Sequence, residues 1–137
     1  SKERKEKIET LAKKFEIYEE LNSQMQSYSH GMRQKLMIIS ALLHNPKNWI
    51  LDEPMTGLDP KSSFDLKEMM KKHKEEGNAV FFSTHILEVA EKLCARIGII
   101  NKGKLLFVGT YEEMKEKLKE NASLEDLFLE ITEDNKK

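Results

Sequence analysis

Apolar positions recur first at helical spacing and then as short unbroken runs. Ile8, Leu11, Ala12, Phe15, Tyr18 and Leu21 stand three or four apart, with Lys and Glu between them. That spacing predicts one amphipathic helix carrying all six. Residues 22–27 are polar and predict a loop. A second helix is predicted after Ser29, with Met32, Leu36, Ile39 and Leu43 on one face, ending near His44-Asn45-Pro46 because proline disfavours helix in the residue before it.

The pattern then changes. Trp49-Ile50-Leu51 is a short apolar run that stops at Asp52-Glu53-Pro54. Asp59-Pro60 supplies an N-cap and a first-turn proline for a helix holding Phe64, Leu66, Met69 and Met70, with Gly77 as its stop. Ala79-Val80-Phe81-Phe82 is a second apolar run, and a helix with Leu87, Val89, Ala90 and Leu93 follows it. Strand, helix, strand at this spacing predicts a βαβ unit, its continuous runs suited to parallel strands buried on both faces. Residues 97–100 and 105–108 around Asn101-Lys102-Gly103-Lys104 predict a hairpin. Thr110 with Glu113, and Ser123 with Asp126, form capping boxes that open two short helices, and residues 133–137 read as frayed.

The 137 residues suit one domain, since domains usually run to ~100–150 residues. Lys and Arg number 23 against 24 Asp and Glu, a net charge of −1. That balance excludes a general polyanion binder, so no nucleic-acid partner is expected. The recurring apolar runs argue against a disordered acidic tail. Cys94 is the single cysteine, which permits no internal disulfide and suits a reducing, cytoplasmic compartment. No apolar stretch approaches the ~20 residues of a membrane span, so no direct bilayer insertion is expected.

Candidate chemistry concentrates at four places. At Asp52-Glu53 a strand ends in adjacent carboxylates, at the carboxyl edge where α/β sheets bind ligands. One carboxylate there can hold Mg²⁺ while the other orients a water, the division that nucleotide hydrolysis requires. Tyr28-Ser29-His30-Gly31-Met32-Arg33-Gln34-Lys35 puts a serine and a glycine at the start of a helix, where free backbone N–H groups and the dipole favour an anion. Thr56-Gly57-Leu58-Asp59-Pro60 and Ser83-Thr84-His85 complete the set; His85 could sense a γ-phosphate or polarise a water. Each has a plain alternative: a solvated acidic turn, a serine N-cap, a turn before a helix, a structural histidine.

Order and spacing carry more than any one motif. Ser29-His30-Gly31, Leu51-Asp52-Glu53-Pro54, Gly57-Leu58-Asp59-Pro60 and Ser83-Thr84-His85 together resemble the ATPase subunit of ATP-binding-cassette (ABC) transporters, as its signature motif, Walker B motif, D-loop and switch histidine. The tail Ser123-Leu124-Glu125-Asp126-Leu127-Phe128-Leu129-Glu130 is similar to endings of bacterial exporter-type members. The resemblance implies an α/β, P-loop NTPase-like parallel sheet with part of the helical signature subdomain and a small C-terminal hairpin and helices. Residues 1–45 would be the helical part ending in the signature helix. Residues 46–109 would be the core with Walker B, D-loop and switch histidine, and residues 110–137 the C-terminal helices and frayed tail.

The same resemblance implies ATP and Mg²⁺ as cofactors. Asp52 would hold Mg²⁺, usually through water, Glu53 would act as general base, and His85 would contact the γ-phosphate. Ser29, His30, Gly31 and Met32 would meet the γ-phosphate of ATP held by a second, head-to-tail subunit, with Asp59 linking the two sites. Where the usual signature reads Ser-Gly-Gly-Gln, this chain has His30 and Met32. Membrane-spanning transporter subunits are the other implied partners, and the implied location is peripheral, on the cytoplasmic face of the cell membrane, energising export.

The phosphate loop Gly-x-x-x-x-Gly-Lys-Ser/Thr is absent from the sequence. Gly98 to Lys104 comes nearest, but it ends in Leu105 and falls on the predicted hairpin. With the chain starting at Ser1, the expectation is a C-terminal fragment of a longer ATPase, inactive alone, with an apolar strand edge exposed beside Ala79–Phe82. Two other functions fit less of the pattern. A soluble ABC-type ATPase of translation or DNA repair would usually show a second cassette, coiled-coil insertions or basic extensions. A non-catalytic binding module would have lost Glu53 or His85. Asn121-Ala122-Ser123 matches a glycosylation sequon without the compartment to use it, and the histidines and Cys94 lack metal-ligand spacing.

Overall fold

Parallel pairing of the two apolar runs organises the first half of the chain. In the computed structural model, which describes residues 1–118 and 123–134, β1 (Asn48–Leu51) pairs with β2 (Ala79–Phe82), Trp49 opposite Val80 and Ile50 opposite Phe81. The crossover between them is α3 (Pro60–Glu75), which packs on β2. Asp59 caps α3 by accepting the Ser62 N–H at 3.0 Å, Pro60 occupies its first turn, and Gly77 (φ 84°) ends it. Leu66 and Met70 are the buried face of this helix.

Two further helices precede the sheet. α1 (Lys2–Lys14) is shorter than its apolar spacing predicts. The chain leaves the helix through Glu16 in the left-handed region (φ 58°), and Phe15 and Ile17 bury themselves from the turn that follows. Tyr18 is exposed, and residues around it form short 3₁₀ turns at Glu19–Asn22 and Met25–Ser27 rather than plain loop. α2 (His30–Leu42) begins as expected at Ser29, but it buries Ile38, Ile39 and Leu42, one step around from the Met32–Leu36–Leu43 stripe. Packing of α2 on both α1 and β1 selects that face.

One expectation is corrected here. The strands are buried on one face: Trp49 and Leu51 are covered, whereas Ile50 is 77% and Phe81 72% exposed. In this unit, residues Ser1–Thr84, α2 packs on β1 and α3 on β2.

The second unit, His85–Lys137, has its own core. α4 (Leu87–Leu93) leads into the antiparallel hairpin of β3 (Ile97–Asn101) and β4 (Lys104–Gly109), closed by Lys102 and Gly103, both at positive φ as a two-residue hairpin turn requires. α5 (Tyr111–Leu118) and α6 (Leu124–Asp134) follow, and Ala90, Ile97, Ile99, Met114, Leu124 and Leu127 form the core. Both capping boxes close reciprocally. The Thr110 N–H donates to Glu113 at 2.8 Å and Glu113 N–H to the Thr110 hydroxyl at 3.1 Å, and Ser123 and Asp126 repeat the pattern. Glu133 and Asp134 belong to α6, and the rest of the expected frayed tail, residues 135–137, lies outside the described residues, as do residues 121 and 122 of the sequon. No helix among the described residues is long and apolar enough to cross a membrane.

Candidate functional site

The carboxyl edge of β1 carries Asp52 and Glu53, tied together by Ser83 at the corresponding end of β2. The Ser83 N–H continues the ladder to the Leu51 carbonyl at 3.0 Å. Its hydroxyl accepts the Glu53 backbone N–H at 2.8 Å and donates to Asp52 Oδ1, so one side chain holds the Asp52 carboxylate and the Glu53 backbone. Asp52 is exposed and Glu53 half-buried. The two neighbours project differently because Glu53 turns the chain through the left-handed region (φ 44°), a conformation costing ~1–2 kcal/mol for a residue with a Cβ. Its carbonyl accepts the Thr56 N–H at 3.1 Å and Gln34 Nε2 of α2 at 3.1 Å, and the Thr56 hydroxyl donates to Glu53 Oε2 at 3.3 Å. These bonds hold the strained residue in place.

The Ser29 segment is the N-terminus of α2. Ser29 is its N-cap, its hydroxyl accepting the Met32 N–H at 3.2 Å, and no acidic side chain occupies the first turn. The cap and the anion-attracting end therefore coexist in one place. Ser29 and His30 are exposed, Gly31 and Met32 half-buried. Gly31 lies directly against Gly57: a Cβ added at Gly31 would stand 2.7 Å from the Gly57 carbonyl oxygen. Gly57 (φ 78°) in turn sits under the His30 ring, which a Cβ there would meet at 2.7 Å.

Asp59 closes the loop. It accepts from Ser62 as the cap of α3 and pairs with Lys35 Nζ of α2 at 2.7 Å, Lys35 being 11% and Asp59 40% exposed. The Lys35 ammonium, helped by the Ser62 N–H, holds the Asp59 carboxyl well below the usual carboxylate range.

Ser29, His30, Gly31, Met32, Asp52, Glu53 and Asp59 are thus gathered within the first unit, on the N-terminus of α2, the end of β1 and the loop into α3. His85 opens the second unit, exposed at a bend ahead of α4. Gln34, Lys35, Thr56 and Ser83 connect the site although sequence reasoning assigned them no contact. The signal available for the first two was weak, a polar pair on a helix turn adjoining a buried face. Trp49 is core packing: it is 8% exposed, stacks on His73 with ring centroids 4.1 Å apart, and donates Nε1–H to the Pro46 carbonyl at 3.1 Å.

For a metal, the donor chemistry is that of a hard cation held loosely. No three or more His, Cys, Asp or Glu side chains gather as a metal cluster among the described residues. Asp52, an exposed carboxylate at a sheet edge, fits one ligand position toward hydrated Mg²⁺, an ion that keeps several waters. The near-match Gly98 to Lys104 lies in β3, its turn and the start of β4, not between a strand and a helix.

A family model described as ABC transporter matches residues 1–56. ABC-type transporter ATP-binding protein EcsA of Bacillus subtilis (strain 168) is 39% identical over 137 residues, covering 98% of this chain and 56% of EcsA. ABC transporter ATP-binding protein NatA of the same organism is 38% identical over 112 residues, covering 82% of this chain and 46% of NatA. A solved structure, described as the structure of an ATP binding subunit of an ABC transporter, matches with a TM-score of 0.88 at 34% identity, covering 96% of this chain and 55% of that one. The chain spans about half the length of the curated relatives it matches. By sequence and by fold, the chain belongs to the ATP-binding subunit family of ABC transporters.

Proposed function

We propose that this chain is the signature-bearing and Walker B-bearing segment of a subunit that hydrolyses ATP to drive transport across a membrane, in the direction of export. The observation that carries the reading is the Ser83 hydroxyl tying the Asp52 carboxylate to the Glu53 backbone N–H at the end of β1, with the Glu53 carbonyl joined through Gln34 to the helix that begins at Ser29. Glu53 would take the proton of the attacking water, its carboxylate oriented by Thr56. Asp52 would hold hydrated Mg²⁺, which neutralises charge on the transferring phosphoryl group. His85 would touch the γ-phosphate.

Ser29, His30, Gly31 and Met32 would close over ATP held by a second subunit in a head-to-tail dimer, with Asp59 at the junction between the sites. Membrane-spanning subunits would receive the motion, with the assembly on the cytoplasmic face of the membrane. Residues 1–45, 46–109 and 110–137 would then be signature helices, catalytic core and C-terminal helices. The 137 residues alone, with no Gly-x-x-x-x-Gly-Lys-Ser/Thr loop in their sequence, would not turn over ATP.

Light scattering on the complete subunit carrying Glu53→Gln tests the reading. ATP should convert it to a dimer, and adding Ser29→Arg should abolish the dimer while the subunit stays folded, the lost N-cap of α2 costing ~1 kcal/mol. An ATP-independent monomer throughout, or a dimer indifferent to Ser29→Arg, contradicts it.

A further inference from the structure

Three contacts run from α2 to one short loop. Gly31 rests on the Gly57 carbonyl, Gln34 donates to the Glu53 carbonyl at 3.1 Å, and Lys35 pairs with Asp59 at 2.7 Å. They meet the loop near its start, middle and end, from the first two turns of a single helix. A helix moves as a rigid rod, so displacement of its N-terminus is felt at all three points together.

We propose that Gln34 and Lys35 are positioning residues that clasp this loop, coupling the Ser29 end of α2 to the chain's own hydrolytic carboxylate, Glu53. The inference rests on the functional reading above and deepens it. Gln34 acts on Glu53 through the backbone, at the residue whose left-handed conformation sets the direction of its side chain. Lys35 acts at the other end, where its side chain is 11% exposed and Asp59 is also committed to capping α3. Neither side chain touches the carboxylate of Glu53 in these bonds. Their contribution is to where the acid points.

Steady-state ATPase kinetics on the complete subunit test the clasp, using Gln34→Met and Lys35→Met, which keep side-chain length and remove the donor or the charge. Each should lower kcat by ~10-fold with KM for MgATP within ~2-fold and the melting temperature close to the parent's. Lys35→Arg should restore most of kcat, and the double variant should lose less than the product of the two single losses. Unchanged kcat in both variants, or losses that track the melting temperature with no rescue by Lys35→Arg, overturns the proposal. Glu53→Gln separates the two levels of the account. If it abolishes turnover while the clasp variants do not, the clasp alone fails. If the parent or Glu53→Gln shows that Glu53 does not drive hydrolysis, the functional reading falls and the clasp with it.

Discussion

The Asp59 carboxylate divides its oxygens between two helices: Oδ1 lies 2.7 Å from the Lys35 ammonium of α2, and Oδ2 accepts the Ser62 N–H of α3 at 3.0 Å. One acid therefore both starts a helix and ties down its neighbour. Its charged form is favoured in the folded chain, first by the Lys35 bond and then by Ser62.

A pH dependence follows from that preference. The unfolded carboxyl titrates near ~3.9, and the folded one lies lower. The stabilisation is complete above the unfolded value and is lost as pH falls through the folded one. Because Asp59 is 40% exposed, solvent screens the pair and its share is ~1 kcal/mol or less. Asp59→Asn, which can still cap α3, should lose that share at neutrality and converge on the parent as pH falls below ~4, which flattens the acid limb in urea melts. An acid limb identical to the parent's would exclude this role for Asp59.

The glycines should rank by what surrounds them. Gly77→Ala meets nothing within 4 Å and bears only its positive φ, a cost of ~1 kcal/mol. Gly57→Ala adds the His30 ring, which is exposed and can swing away. Gly31→Ala drives a methyl into the Gly57 backbone, which neither α2 nor the loop can easily yield, and should cost ~2–3 kcal/mol. Urea midpoints check the order, and Gly31→Ala proving the mildest would refute the close packing of α2 on the loop.

Burial separates the sheet's two faces. Leu66 beneath it is 0% exposed, so Leu66→Ala should cost ~2–5 kcal/mol. Ile50→Thr and Phe81→Thr, on the open face, should stay within ~0.5 kcal/mol of the parent. Thermal melts showing large losses at Ile50 and Phe81 would mean that face is covered.

How much was legible in the sequence depended on whether the signal was local. Asp59-Pro60 and the two capping boxes specify their conformations within a few residues and formed as read, and the hairpin read around residues 101–104 formed with a tighter Lys102-Gly103 turn. The apolar runs located β1 and β2 but said nothing of which helices would reach them, and the expectation of two buried faces failed at Ile50 and Phe81. α1 continued on paper through Phe15 and Tyr18, whereas Glu16 breaks it so that Phe15 and Ile17 can both be buried, a tertiary gain that no spacing displays. In the site, Asp52, Glu53 and the Ser29 segment stood out by residue type. Gln34, Lys35 and Ser83 lay within the same motifs, but their contacts did not show, because their partners are 19, 24 and 31 residues away in sequence.

The most direct test of the whole account is MgATP turnover by the complete subunit with and without Glu53→Gln. The account predicts steady hydrolysis by the parent and a loss of at least ~100-fold in the variant, with ATP still bound, as removal of a general base entails. A Glu53→Gln subunit that hydrolyses ATP at the parent's rate would contradict it.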